Sequence, residues 1–133
     1  MILVIGGAYQ GKLRYVKNEY GVEDAEIFDG STILSESGEA LLNAAEIEAG
    51  LQKRVVYQYE VYVEWCLKNG REPKADFSEE QIVISDELFS GVVPMEKELR
   101  LLRETLGKTL TKTAISAEKV VRVFCGIPKT IKG

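Results

Sequence analysis

The sequence contains no histidine. That absence removes the commonest general base, the Ser-His and Cys-His nucleophile pairs, and histidine metal sites. Any chemistry must run on carboxylates, Lys or Arg, hydroxyls and backbone amides, or on a bound metal. Cysteine is scarce, with Cys66 and Cys125 alone. Their apolar contexts predict two buried free thiols in a cytoplasmic protein, not a disulfide. An excess of basic charge is also missing: 17 Lys and Arg stand against 21 Asp and Glu, for a net charge of −4. Such a chain exerts no general pull on nucleic acid or anionic lipid. No apolar run approaches the ~20 residues of a membrane span. The apolar start, Ile2–Ile5, is too short for a signal peptide and has no basic lead-in.

What is present suits a soluble globular chain: 133 residues, 45% hydrophobic and 29% charged. The length predicts one domain across 1–133 with a sizeable core. Four consecutive apolar residues, Ile2–Ile5, predict a buried parallel strand. A helix is predicted from Gly11 to Tyr20, with Leu13, Val16 and Tyr20 on its buried face and Gly21 just past its end. Glu26–Phe28 predicts a short second strand closed by Asp29-Gly30. Residues 31–45 read as a surface loop with a helical turn around Glu39–Asn43. The stretch Val55–Leu67 carries both a strand alternation and a helical stripe. The length from Glu46 to Asn69, with Gly70 as a stop and Pro73 beyond, favours the helix for this stretch. Its aromatic cluster predicts core or a subunit contact in a homo-oligomer rather than a base-stacking platform. Gln81–Ser85 predicts a strand. Pro94 suits the first turn of the next helix, whose stripe is Met95, Leu99, Leu102, Leu106 and Leu110, with a Glu96–Arg100 pair. Lys119–Cys125 predicts the last strand.

Between the first strand and the first helix lies Gly6-Gly7-Ala8-Tyr9-Gln10-Gly11-Lys12-Leu13. From Gly6 to Lys12 it fits G-x-x-x-x-G-K, the P-loop spacing. Glycines let backbone N–H groups curl around an anion. The helix N-terminus adds partial positive charge, and Lys12 adds a full one for the outer phosphates. The whole run, Gly6 to Leu13, is the candidate nucleotide site, for ATP or GTP. The motif expects a Mg2+-binding hydroxyl after the Lys. Leu13 cannot supply one, which weakens any Mg2+ site. Asp29 and Asp86 each follow a predicted strand, where ligands of open α/β sheets bind. They are the candidate metal ligands, and Asp29 doubles as an ordinary Asp-Gly turn residue. Glu87 is the candidate proton acceptor beside Lys12.

Three stretches resemble the adenosylcobinamide kinase / adenosylcobinamide-phosphate guanylyltransferase family. The family opens with a strand and GGARSGKS, matched by Gly6–Leu13. Its S-N-E-x-G-x-G-I-V-P segment is matched by Ser85–Pro94, and its terminal G-x-P and I-K by Gly126-Ile127-Pro128 and Ile131-Lys132. The likeness covers 1–21 and 81–133 and is poor between them. It implies a P-loop NTPase-like three-layer α/β fold with a mostly parallel sheet. It also implies a kinase of cobalamin assembly that phosphorylates the aminopropanol hydroxyl of adenosylcobinamide, a corrinoid. Family members then attach GMP through a covalent histidine. With no histidine, this chain has no such guanylyl route. The other expectations are a degenerate binder of nucleotide or corrinoid, and a kinase for another alcohol.

Overall fold

A computed structural model describes residues 1–87 and 96–133. The Leu88–Pro94 part of the second family-like stretch, Pro94 and Met95 lie outside the described residues, as does the Glu96 side chain.

The chain folds as α/β around a six-stranded sheet. The strands are β1 (Ile2–Gly6), β2 (Ile27–Asp29), β3 (Val55–Tyr57), β4 (Ile82–Asp86), β5 (Lys119–Phe124) and β6 (Ile127–Lys132). The helices are α1 (Lys12–Tyr20), α2 (Ala44–Gly50), α3 (Tyr59–Lys68) and α4 (Glu96–Ser116). The sheet order is β2-β3-β4-β1-β5-β6. All neighbours are parallel except β5 and β6, which form an antiparallel hairpin.

Direction of travel accounts for the layers. From β1 the chain moves to the far strand β2, then returns through β3 to β4 and on to β5. Crossovers between parallel strands are right-handed, so the outward and return connections fall on opposite faces. The core divides accordingly. Val16 of α1 packs with Val4, Ile82, Ile84 and Val121 on one face. Ile47 of α2, Val63 of α3 and Leu102 and Leu106 of α4 pack with Leu3, Val56, Val83 and Val120 on the other. Successive strand residues alternate between the two clusters, and both are buried. This is why these strands read as unbroken apolar runs.

Four expectations need correction. The helix expected over Val55–Leu67 forms only from Tyr59, as α3, while Val55–Tyr57 is the strand β3 and the short helix α2 precedes it. Val55 and Val56 are claimed by the sheet, between β2 and β4, and Gln58 breaks the chain direction in the left-handed region, at φ 54°. The helical turn at Glu39–Asn43 does not form. Ala40 bridges Leu34, and the Asn43 side chain accepts the Glu46 N–H at 2.8 Å to cap α2. The chain past Phe124 is a further strand, β6, exposed along its length. Finally, Cys66 is buried but Cys125 is exposed, because Cys125 and Gly126, at φ 50° and 76°, make the two-residue turn of the hairpin.

Candidate functional site

The topology creates one crevice before any side chain is considered. β1 and β4 are neighbours, but the helix after β1 packs on one face and α4 on the other. Ligands of open α/β sheets bind outside the carboxyl ends of such a pair. There Gly6 stands opposite Asp86 in register.

The Gly6–Lys12 loop leaves β1 at this point. Gly6 has no room for a side chain, since a Cβ would fall 2.5 Å from the Val123 carbonyl oxygen. Gly11 ends the loop at φ 85° as the residue before α1. Among the described residues no side chain caps α1 and no acid occupies its first turn, so its first N–H groups have no acceptor there. Among the described residues, the N–H groups of Ala8, Tyr9 and Gly11 also meet no acceptor. The loop is pinned from the far end of the chain. Gln10 accepts the Cys125 N–H through its side-chain oxygen at 2.7 Å and the Gly126 N–H through its backbone oxygen at 2.8 Å.

Lys12 is buried, and its Nζ meets the Asp86 carboxylate at 2.7 Å and the Gly7 carbonyl at 2.6 Å. Leu13 is turned the other way and packs partly buried against the core around Val16. Beside this pair opens a cleft of about 390 Å³, within the ~300–1,000 Å³ of small-molecule sites. Among the described residues, the Ala8–Lys12 loop forms one wall and Tyr57, Gln58, Glu60 and Val61 another, with Asp86 between them. Tyr9, at φ 60°, stands fully exposed at the rim.

Glu60 is a site residue that the sequence reading did not single out. It is the second residue of α3 and is only 5% exposed. Its Oε1 accepts the Asp86 N–H at 3.1 Å. Burial, and then the Asp86 charge, push its carboxyl up to about 7, against the pull of that N–H and of Lys12. A signal was present: an acid inside the most apolar stretch of the chain, between Tyr59 and Val61. Burial, followed by the charge of Asp29, also raises the Tyr57 hydroxyl.

The other sequence candidates are engaged elsewhere. The Asp29 carboxylate accepts the Ser31 N–H at 2.9 Å and the Gln58 side-chain N–H at 3.2 Å. It therefore caps the turn at Gly30–Thr32. Asp29 and Asp86 sit on β2 and β4, with β3 between them and two residues out of register, about 12 Å apart at ordinary strand spacing and rise. Glu87 accepts the Arg122 Nε–H at 2.5 Å and is not among the described residues lining the cleft. Among the described residues no helix is long and apolar enough to cross a membrane. No protein-family model and no curated protein matches the chain.

Proposed function

We propose that the chain is a P-loop-type nucleotide-binding protein whose cleft takes the phosphates of ATP or GTP. We further propose that it acts as a slow phosphotransferase on an alcohol, with adenosylcobinamide as the acceptor that the sequence resemblance indicates. The observation that carries this reading is the buried Lys12 beside a glycine loop and helix end whose N–H groups meet no acceptor among the described residues. A polyphosphate supplies what that arrangement lacks: oxygens for the N–H groups and negative charge at the helix end. Lys12 would then exchange part of its contact with Asp86 for phosphate oxygen.

The donor set does not fit a tightly held Mg2+. Leu13 offers no oxygen, Asp86 is the counter-ion of Lys12, and Asp29 caps a turn across β3. Among the described residues no three acidic or cysteine side chains cluster. Nucleotide binding is therefore weakly Mg2+-dependent. Transfer rests on positioning and on the electrostatics of Lys12 and the loop. A silent nucleotide binder is the second reading, favoured by Leu13 packing into the core instead of facing the phosphates.

A thermal-shift titration with ATP, GTP and GDP tests the binding. At about 100 times its dissociation constant a nucleotide stabilises the fold by roughly 2.7 kcal/mol. Lys12→Ala should shrink that shift. No shift with any nucleotide at millimolar concentration refutes the reading. Phosphorylation of adenosylcobinamide separates the enzyme from the silent binder.

A further inference from the structure

We propose that Glu60 is the catalytic residue that accepts the proton of the attacking hydroxyl. The inference rests on the nucleotide reading above and supplies the group that reading leaves unnamed. Glu87, the sequence candidate, is held by Arg122 and does not line the cleft among the described residues.

Position comes first. Lys12, Asp86 and Glu60 form a chain of direct contacts, with 2.7 Å from Lys12 Nζ to the Asp86 carboxylate and 3.1 Å from the Asp86 N–H to Glu60. All three line one cleft with the glycine loop. A terminal phosphate on Lys12 therefore shares the cleft with Glu60, and a hydroxyl seated between the two is the group whose proton Glu60 would take across the roughly 2.6–3.2 Å that proton transfer needs.

Charge comes second. One buried ammonium already faces the Asp86 carboxylate, and Glu60 adds another acid. An incoming phosphate and an ionised Glu60 repel each other in this low-dielectric pocket. A hydroxyl between them removes the conflict, donating to Glu60 while its oxygen faces phosphorus. As the new O–P bond forms, the bond from phosphorus to the bridging oxygen breaks. That electron pair leaves on the nucleoside diphosphate, and the hydroxyl proton passes to Glu60.

The test compares the unchanged protein with Glu60→Gln and Glu60→Asp. Glutamine keeps an oxygen for the Asp86 N–H, so the fold survives, as melting will verify. ATP and GTP thermal shifts should persist in both variants. Transfer to adenosylcobinamide or to water should fall about 10²–10⁴-fold in kcat in Glu60→Gln. KM for nucleotide should change little, and Glu60→Asp should recover part of the rate. Unchanged kcat in Glu60→Gln overturns the proposal. So does nucleotide binding with no transfer or hydrolysis in the unchanged protein. Loss of Mg2+-dependent nucleotide affinity in Glu60→Gln would make Glu60 a metal ligand instead, and also overturns it. No nucleotide shift in any protein is the separate failure of the nucleotide reading, and the proposal falls with it.

Discussion

Replacing Lys12 by Met tests whether the buried ion pair holds the crevice together. The methionine chain can follow the lysine methylenes, which run alongside Gly6, so packing changes little. The charge does change. Lys12 is 6% exposed and Asp86 17%. Removing one member of a buried pair costs about 3–5 kcal/mol, because the other charge is left without compensation. Asp86 keeps some contact with water, which points to the lower end, about 3 kcal/mol. Unfolding entropy of roughly 2.1 cal/mol/K per residue gives about 0.28 kcal/mol/K for this chain. Lys12→Met should therefore lower Tm by about 11 °C without ligand. Asp86→Asn alone should also destabilise, since it strands the ammonium. The double variant Lys12→Met/Asp86→Asn buries no uncompensated charge at this pair. It should recover about 2 kcal/mol relative to the sum of the singles. The assay is thermal or urea unfolding of all four proteins at one pH and salt concentration. A loss below about 1 kcal/mol in Lys12→Met, or singles that simply add, would refute the pairing.

Further outcomes follow from the same geometry. An ordinary glutamate titrates near 4.5 and folded Glu60 near 7. Between those values the folded state holds more protons than the unfolded one, so Glu60 opposes folding increasingly as pH rises and fully above 7. The loss is on the order of 3 kcal/mol. Urea unfolding at pH 5 and pH 8 should show it, and Glu60→Gln should largely remove the difference. Leu13→Ser should cost about 1–2 kcal/mol, below the range for fully buried leucines because Leu13 is only partly buried. It should also make nucleotide affinity more Mg2+-dependent in calorimetry. A thiol reagent should titrate Cys125 quickly and leave Cys66 unreacted until the chain unfolds.

Where local pattern and tertiary packing agree, the sequence was readable. Ile2–Ile5, Gln81–Ser85 and Lys119–Cys125 mark β1, β4 and β5 to within a residue or so. Leu102 and Leu106 mark the buried side of α4. The middle was not readable, because two periods coincide there. Val55-Val56-Tyr57 belongs to a three-residue strand and Tyr59–Lys68 to a helix. The break between them is Gln58, a non-glycine residue at φ 54°, which carries no sequence signature. Gly50 was the better clue, since α2 ends on it. The hairpin to β6 was missed because a cysteine fills a turn position that Asn or Asp usually takes. At the cleft, the strand–loop–helix placement of Gly6–Lys12 was readable from spacing alone. Glu60 left one signal, an acid among apolar residues, but its contact with the Asp86 N–H depends on a strand 26 residues away in sequence.

The motif alone would not have made this cleft. The spacing from Gly6 to Lys12 is a local property, but the burial of Lys12 is a property of strand order. β1 is an interior strand with β4 on one side and β5 on the other. β4 brings Asp86 level with Gly6, and β5 leads into the turn whose Cys125 and Gly126 N–H groups hold Gln10. Placed on an edge strand, the same loop would lose one of these supports. Without β4, Lys12 would keep only the Gly7 carbonyl, and burying its charge with no counter-ion would be costly. Without the β5–β6 turn, Gln10 would lose both of its donors and the loop would sample more conformations. If the loop takes phosphate as proposed, holding it in place beforehand leaves less ordering cost for that phosphate to offset. Residues from opposite ends of the chain thus fix one turn, and that turn faces the crevice where Glu60 and Asp86 lie.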